Sequence, residues 1–129
     1  MIMTLFTINT CAKKIAFLTS SVVTVASGDV KVTKDKNMNY LIEVHISELT
    51  KVSKLNPPKQ SYVVWFETEQ EGTKNIGKIS SEMGGISKQL DVFFETVSAF
   101  KPNKIFVTAE DDANTQFPNS QIILSTDSF

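Results

Sequence analysis

Residues 40 to 46 read YLIEVHI, with Tyr40, Ile42, Val44 and Ile46 on one side of the alternation and Leu41, Glu43 and His45 on the other. A period of two puts successive side chains on opposite faces of an extended chain, so this stretch is a strand with one face in a core. It is the clearest strand signal in the sequence. Upstream, Val30 and Val32 alternate with Lys31 and Thr33, and residues 35 to 39 (DKNMN) supply turn chemistry, because Asp and Asn bond their own backbone. Two strands joined by a polar turn are expected there. Downstream, Leu49, Val52 and Leu55 recur at three-residue spacing ahead of Pro57 and Pro58, which predicts a helical turn ended by the prolines.

Residues 62 to 66 (YVVWF) form an unbroken run of aromatic and β-branched side chains, the pattern of a central strand buried on both faces. Tyr62 and Trp65 are its expected core anchors. Residues 71 to 73 (EGT) supply a turn, residues 75 to 80 (NIGKIS) return with Ile76 and Ile79, and Gly84 and Gly85 break the chain again. Leu90, Val92 and Phe94 then alternate with Asp91, Phe93 and Glu95, and residues 104 to 110 (KIFVTAE) and 121 to 126 (QIILST) complete seven or eight strands. Short strands spaced by turns predict an all-β fold, a two-sheet antiparallel β-sandwich of the immunoglobulin or fibronectin kind. An open α+β fold is the alternative.

The composition sets the bounds on function. A chain of 129 residues with 41% apolar and 21% charged residues has room for one hydrophobic core and the balance of a globular domain. Its 13 basic residues are all lysines and face 14 acids. Nucleic-acid recognition, which leans on a basic surface and on arginine forks, is not expected. Nor is steering toward an anionic membrane. Cys11 is the only cysteine and His45 the only histidine, so one chain has neither an internal disulfide nor a thiolate or histidine metal cluster, and no cofactor is expected.

Residues 1 to 28 differ from the rest, with apolar stretches at 1 to 8 and 15 to 25 and no acid before Asp29. Neither stretch reaches the roughly 20 apolar residues of a membrane-spanning helix. Two export readings compete. In one, Lys13 and Lys14 precede the apolar segment 15 to 25, and Ala26, Ser27 and Gly28 form the cleavage site of a signal peptide. In the other, residues 1 to 10 are the remnant of a shorter signal and Cys11 is the lipid-bearing first residue of a lipoprotein. Residues 12 to 20 then form a tether, and the β-branched residues 20 to 25 (SSVVTV) are free to be a first strand. A third possibility is an ordinary N-terminal segment with a buried Cys11. The chain is thus expected to divide into residues 1 to 28, a signal- or lipoprotein-type segment and possible first strand, and a sandwich domain, 29 to 129, whose start moves to near Ser21 in the lipoprotein reading.

Candidate reactive groups have bland counterparts. His45 lies on the face opposite Tyr40, Ile42 and Val44 with no nucleophile elbow or second histidine to serve, so a structural or solvent-facing histidine is expected. Glu110, Asp111, Asp112 and Asn114 bunch oxygen ligands, yet lack the alternate acids and central glycine of a calcium loop and read as a solvated loop with Asx turns. Gly84 and Gly85 lack the Lys-Ser/Thr context of a phosphate loop. Trp65, within its apolar run, reads as core rather than as an exposed ligand anchor.

The segment from about Tyr40 to Thr126 resembles the extracytoplasmic C-terminal domain of anti-sigma-K-type factors. In that domain a leucine and prolines lead to a tyrosine and then a tryptophan, as Leu55, Pro57, Pro58, Tyr62 and Trp65 do here. A glycine with apolar neighbours follows, matched by Ile76, Gly77 and Ile79, and a late strand runs into a threonine, a glutamate and then a proline, matched by Thr108, Glu110 and Pro118. Asp111, Ala113 and Asn114 stand where the family has a proline and two glycines. The resemblance implies a β-sandwich. It also implies a non-catalytic exported sensor or interaction domain of the cell envelope with a protein partner, without the family's sigma-binding and membrane-spanning parts. A structural or ligand-carrying envelope sandwich is the alternative function.

Overall fold

A computed structural model describes residues 12 to 79, 89 to 119 and 121 to 129. The described residues form eight strands: β1 Ala12–Ala16, β2 Ser27–Lys34, β3 Tyr40–Thr50, β4 Ser61–Thr68, β5 Gly72–Ile79, β6 Gln89–Ser98, β7 Lys104–Glu110 and β8 Ile122–Ser125. They form two antiparallel four-stranded sheets, sheet A in the order β1-β2-β3-β6 and sheet B in the order β5-β4-β7-β8. The fold is thus the all-β two-sheet sandwich that the alternation predicts. The connections β3 to β4, β5 to β6 and β6 to β7 each cross between the sheets, the kind of crossing found in immunoglobulin-type sandwiches.

Inward positions of the alternating strands make the core. Val30, Ile42, Val44 and Ile46 of sheet A meet Tyr62, Val64, Ile105 and Val107 of sheet B, all of them fully buried. Burying each such side chain contributes roughly 1.5 to 3 kcal/mol, so this layer is the main source of stability. At the β2–β3 turn the Asp35 carboxylate accepts the backbone N–H groups of Asn37 and Asn39 at 2.8 and 2.9 Å, and Met38 takes the left-handed conformation there (φ 67°). The turn is built by the Asx chemistry its sequence carries.

Three expectations are corrected. Leu49 is not helical: β3 continues to Thr50 through a bulge between Ile46 and Leu49, with Glu48 at φ 59°. The extra residue flips the facing, so Ile46 and Leu49 are both buried in spite of their three-residue spacing. A 3-10 turn is confined to Val52–Lys54. Residues 20 to 25 are not a strand either, because the Ser20 hydroxyl accepts the N–H groups of Val22 and Val23 at 3.1 and 2.9 Å and folds SSVVTV into a turn. The first strand is instead Ala12–Ala16, within the stretch expected to be a tether.

The sandwich therefore does not begin at Asp29. β1 pairs with β2 from Ala12↔Thr33 to Ala16↔Asp29, Val23 and Ala26 lie in the core, and Ile15, Phe17 and Val22 pack against it. Beyond β1 the chain changes sheets: Phe17 N–H donates to the Gly28 carbonyl at 3.0 Å and Leu18 N–H to the Ser125 carbonyl of β8 at 2.8 Å. Gly28 faces Ile46 across the β2–β3 ladder, where a Cβ would stand 2.0 Å from the His45 carbonyl oxygen. Only glycine admits that approach.

Candidate functional site

β4 is buried on both faces, for two different reasons. Tyr62, Val64 and Phe66 point into the main core, while Val63 and Trp65 join Phe106 of β7 in a separate cluster on the outer face of sheet B. Trp65 lies opposite Phe106 in register, and their rings stack with centroids 6.2 Å apart and planes at 11°. Such a pair contributes about 0.5 to 1.5 kcal/mol beyond its burial. The ammonium of Lys104 sits 5.9 Å from the centroid of the Phe106 ring.

The indole leads into a chain of buried polar groups. Trp65 Nε1–H donates to Thr108 Oγ1 at 2.8 Å, the Thr108 hydroxyl donates to Glu110 Oε2 at 2.7 Å, and that oxygen also accepts the Asn119 backbone N–H at 3.1 Å. Thr108 and Glu110 are buried, and no buried side-chain nitrogen or oxygen among the described residues is left without a partner. Because residues two apart on a strand share a face, Phe106, Thr108 and Glu110 form one column on β7 beside Val63 and Trp65 of β4.

This chain holds a loop over the sheet. Asn75 of β5 donates from Nδ2 to the Ala113 and Thr115 carbonyls, both at 2.9 Å, and accepts the Gly77 N–H at 2.9 Å. Asn75 grips the loop from one side of β4 and Glu110 from the other, so residues 111 to 119 cross the outer face of sheet B. Gly77 has φ +146° at the β5 bulge, and a Cβ there would fall 2.7 Å from the Phe94 ring of the opposite sheet. Its glycine is thus required twice over, by backbone and by packing.

Next to the chain, at the end of the sandwich, a cleft of about 270 Å³ opens between Val22, Leu55, Pro57, Ala109 and Ile123. Asn56, Lys59, Asn119 and Gln121 add polar groups to its wall, and Lys59 Nζ reaches Asp111 at 3.6 Å on the rim. Tyr62, the second residue of β4, lies opposite Ala109, and its hydroxyl donates to the Thr50 carbonyl. Burial pushes its phenol above the usual tyrosine range.

Of the residues singled out in the sequence, Trp65, Thr108 and Glu110 come together in one bonded chain, with Gly77 and Asn75 holding its far side. Pro118 is exposed, one residue before the N–H that Glu110 binds. Tyr62 belongs to the main core rather than to the Trp65 cluster. His45 is exposed opposite Phe93 on the outer face of sheet A. Asp111 and Asp112 are exposed in the loop, where Asp112 accepts the Asn114 N–H at 2.9 Å as an Asx turn does. Cys11, Gly84 and Gly85 lie outside the described residues. The part of Asn75 was not read from the sequence, where it is one more polar residue on an edge strand. Glu110, expected in the solvated acidic loop, is instead buried at the end of β7, and neither its bond to Thr108 nor the tie of Thr108 to the indole was read from the sequence. Comparison with protein-family models, with curated proteins and with solved structures finds no match for this chain.

Proposed function

We propose that this domain is a non-catalytic, exported sensor or interaction domain of the cell envelope that engages a protein partner, comparable in role to the outer domain of anti-sigma-K-type factors. The observation that carries the proposal is the outer face of sheet A along β6, where Phe93 and Val97 are 61% and 62% exposed. Aromatic side chains standing clear of a sheet are the class that anchors protein interfaces. Phe93 lies opposite His45 and Val97 opposite Leu41, and between these pairs Glu43 faces Glu95. Carboxylates directly opposite each other repel, and Lys31, beside Glu43 on β2, offsets part of that charge. The surface suits a partner that presents a lysine or arginine flanked by apolar side chains.

Glu110, the buried acid, is committed to Thr108 and to the Asn119 N–H, which favours a clamp over acid-base chemistry. Leader-like residues before Cys11 support export, and a lipid on Cys11 would sit one residue ahead of β1, holding the sandwich close to the bilayer. The alternative, a structural or ligand-carrying envelope sandwich, draws on the 270 Å³ cleft at the sandwich end. Fractionation of cells expressing the full chain with its native upstream sequence tests the location. Recovery in the envelope, with detergent partitioning abolished by Cys11→Ser, is expected. Recovery wholly in the cytoplasmic extract overturns the proposal.

A further inference from the structure

The opposite end of the sandwich carries a second cleft, of about 240 Å³, whose walls combine positive charge with an apolar floor. Val32, Tyr40, Pro102 and Phe129 make the floor, and Lys13, Lys34 and Lys101 stand around it. Register places two of these lysines on the core side of sheet A. Lys13 pairs with the buried Val32, and Lys34, two residues on from Val32 and opposite Tyr40, shares its face. Every other described position of β2 and β3 on that face, from Val30 and Ile42 to Ile46, is apolar. The Lys13 ammonium lies 5.5 Å from the centroid of the Phe129 ring.

Lys14 pairs with Asp29 and Lys59 with Asp111, and neither of these ion pairs draws on Lys13, Lys34 or Lys101. Asp35, the acid next in sequence to Lys34, is turned into its own loop, where it accepts two backbone N–H groups. Three lysines border one apolar recess, so an anion placed there meets favourable charge. An inward-pointing lysine on the edge strand β1 also discourages edge-to-edge pairing, which accounts for Lys13 alone. Lys34 lies on an inner strand and Lys101 in the β6–β7 loop, so that role does not extend to them. The cleft is smaller than the roughly 300 to 1,000 Å³ of sites for drug-sized ligands, which limits the occupant to a short molecule.

We propose that this cleft binds a small single-chain anionic amphiphile, its carboxylate or phosphate held by Lys13, Lys34 and Lys101 and its short apolar chain laid on Val32, Tyr40, Pro102 and Phe129. Calorimetric titration of the full chain with octanoate, with octyltrimethylammonium and with inorganic phosphate separates the contributions of charge and chain. Octanoate is expected to bind saturably at one site, phosphate more weakly, and the cation not at all. The Lys13→Gln, Lys34→Gln, Lys101→Gln variant is expected to weaken octanoate by about tenfold or more. If that variant does not fold, Lys101→Gln alone, at an exposed loop position, is expected to weaken octanoate measurably. Equal binding of the cation, unchanged octanoate affinity in the folded lysine variants, or association only with anionic phospholipid vesicles and not with octanoate overturns the proposal.

Discussion

Thr108→Val tests the buried chain on sheet B with almost no change of shape. The substitution removes the hydroxyl that accepts Trp65 Nε1–H at 2.8 Å and donates to Glu110 Oε2 at 2.7 Å, and it puts a methyl group in its place. Leaving the indole N–H buried without an acceptor costs about 1 to 3 kcal/mol. Loss of a bond to the Glu110 carboxylate costs about 1.5 to 3 kcal/mol, moderated because Oε2 keeps the Asn119 N–H. The two losses share one network and are not fully additive, so the expected destabilisation is about 2 to 4 kcal/mol. Against a total stability of about 5 to 15 kcal/mol this is a large fraction. Urea titration followed by fluorescence is a direct assay, because Trp65 is the only tryptophan and reports its own environment. Thr108→Ser, which keeps the hydroxyl, serves as the control and should cost about 1 kcal/mol for the lost methyl group. A Thr108→Val change below about 1 kcal/mol, with an unaltered denaturant slope, would refute the idea that the chain is stabilising.

Gly77→Ala should destabilise by more than 1 kcal/mol on melting, since both the positive φ and the 2.7 Å approach to Phe94 oppose a Cβ; an unchanged melting temperature would contradict the packing described. A chain beginning at Asp29 loses β1, Val23 and Ala26, and burial of Val23 alone accounts for about 1.5 to 3 kcal/mol, so it should be unfolded or markedly less stable by circular dichroism. Full native stability of that truncated chain would place the N-terminal segment outside the fold. Tyr62 gives a pH dependence. Its folded phenol is raised above the unfolded value of 10.0, so the stability it contributes is complete below that pH and is lost as pH rises beyond it. Phenolate absorbance of Tyr62 should therefore appear only with alkaline unfolding, and Tyr62→Phe should remove that component; ionisation in the folded state at the ordinary tyrosine pH would be the opposite result.

The strands were legible wherever burial follows a period of two or an unbroken apolar run. YLIEVHI became the first seven residues of β3, and YVVWF became the body of β4, an inner strand of sheet B. Where the period breaks, the sequence misled. Leu49, read with Val52 and Leu55 as a helical turn, instead continues β3 beyond a bulge, where one inserted residue reverses the facing of all that follow. AKKIA carries two lysines in five residues and reads as a tether, but pairing with β2 recruits it as an edge strand with Lys13 at the mouth of a cleft. The burial of Trp65 followed from its neighbours. The face it is buried on did not, since that depends on residues 111 to 119, which are mostly polar and are drawn over the sheet by Asn75 and Glu110. The Asn75 bonds, which reach a loop 38 and 40 positions further along, leave no local pattern in the chain.

Cross-linking in living cells tests the central claim, that the outer face of sheet A along β6 is the working surface. A photoreactive phenylalanine analogue replaces Phe93, which is 61% exposed, and in a parallel strain the same analogue replaces the exposed Ser53 of the 3-10 turn. The account predicts one discrete envelope-protein adduct from position 93, lost on Val97→Lys, and none from position 53. No adduct from position 93, or the same adducts from both positions, would contradict it.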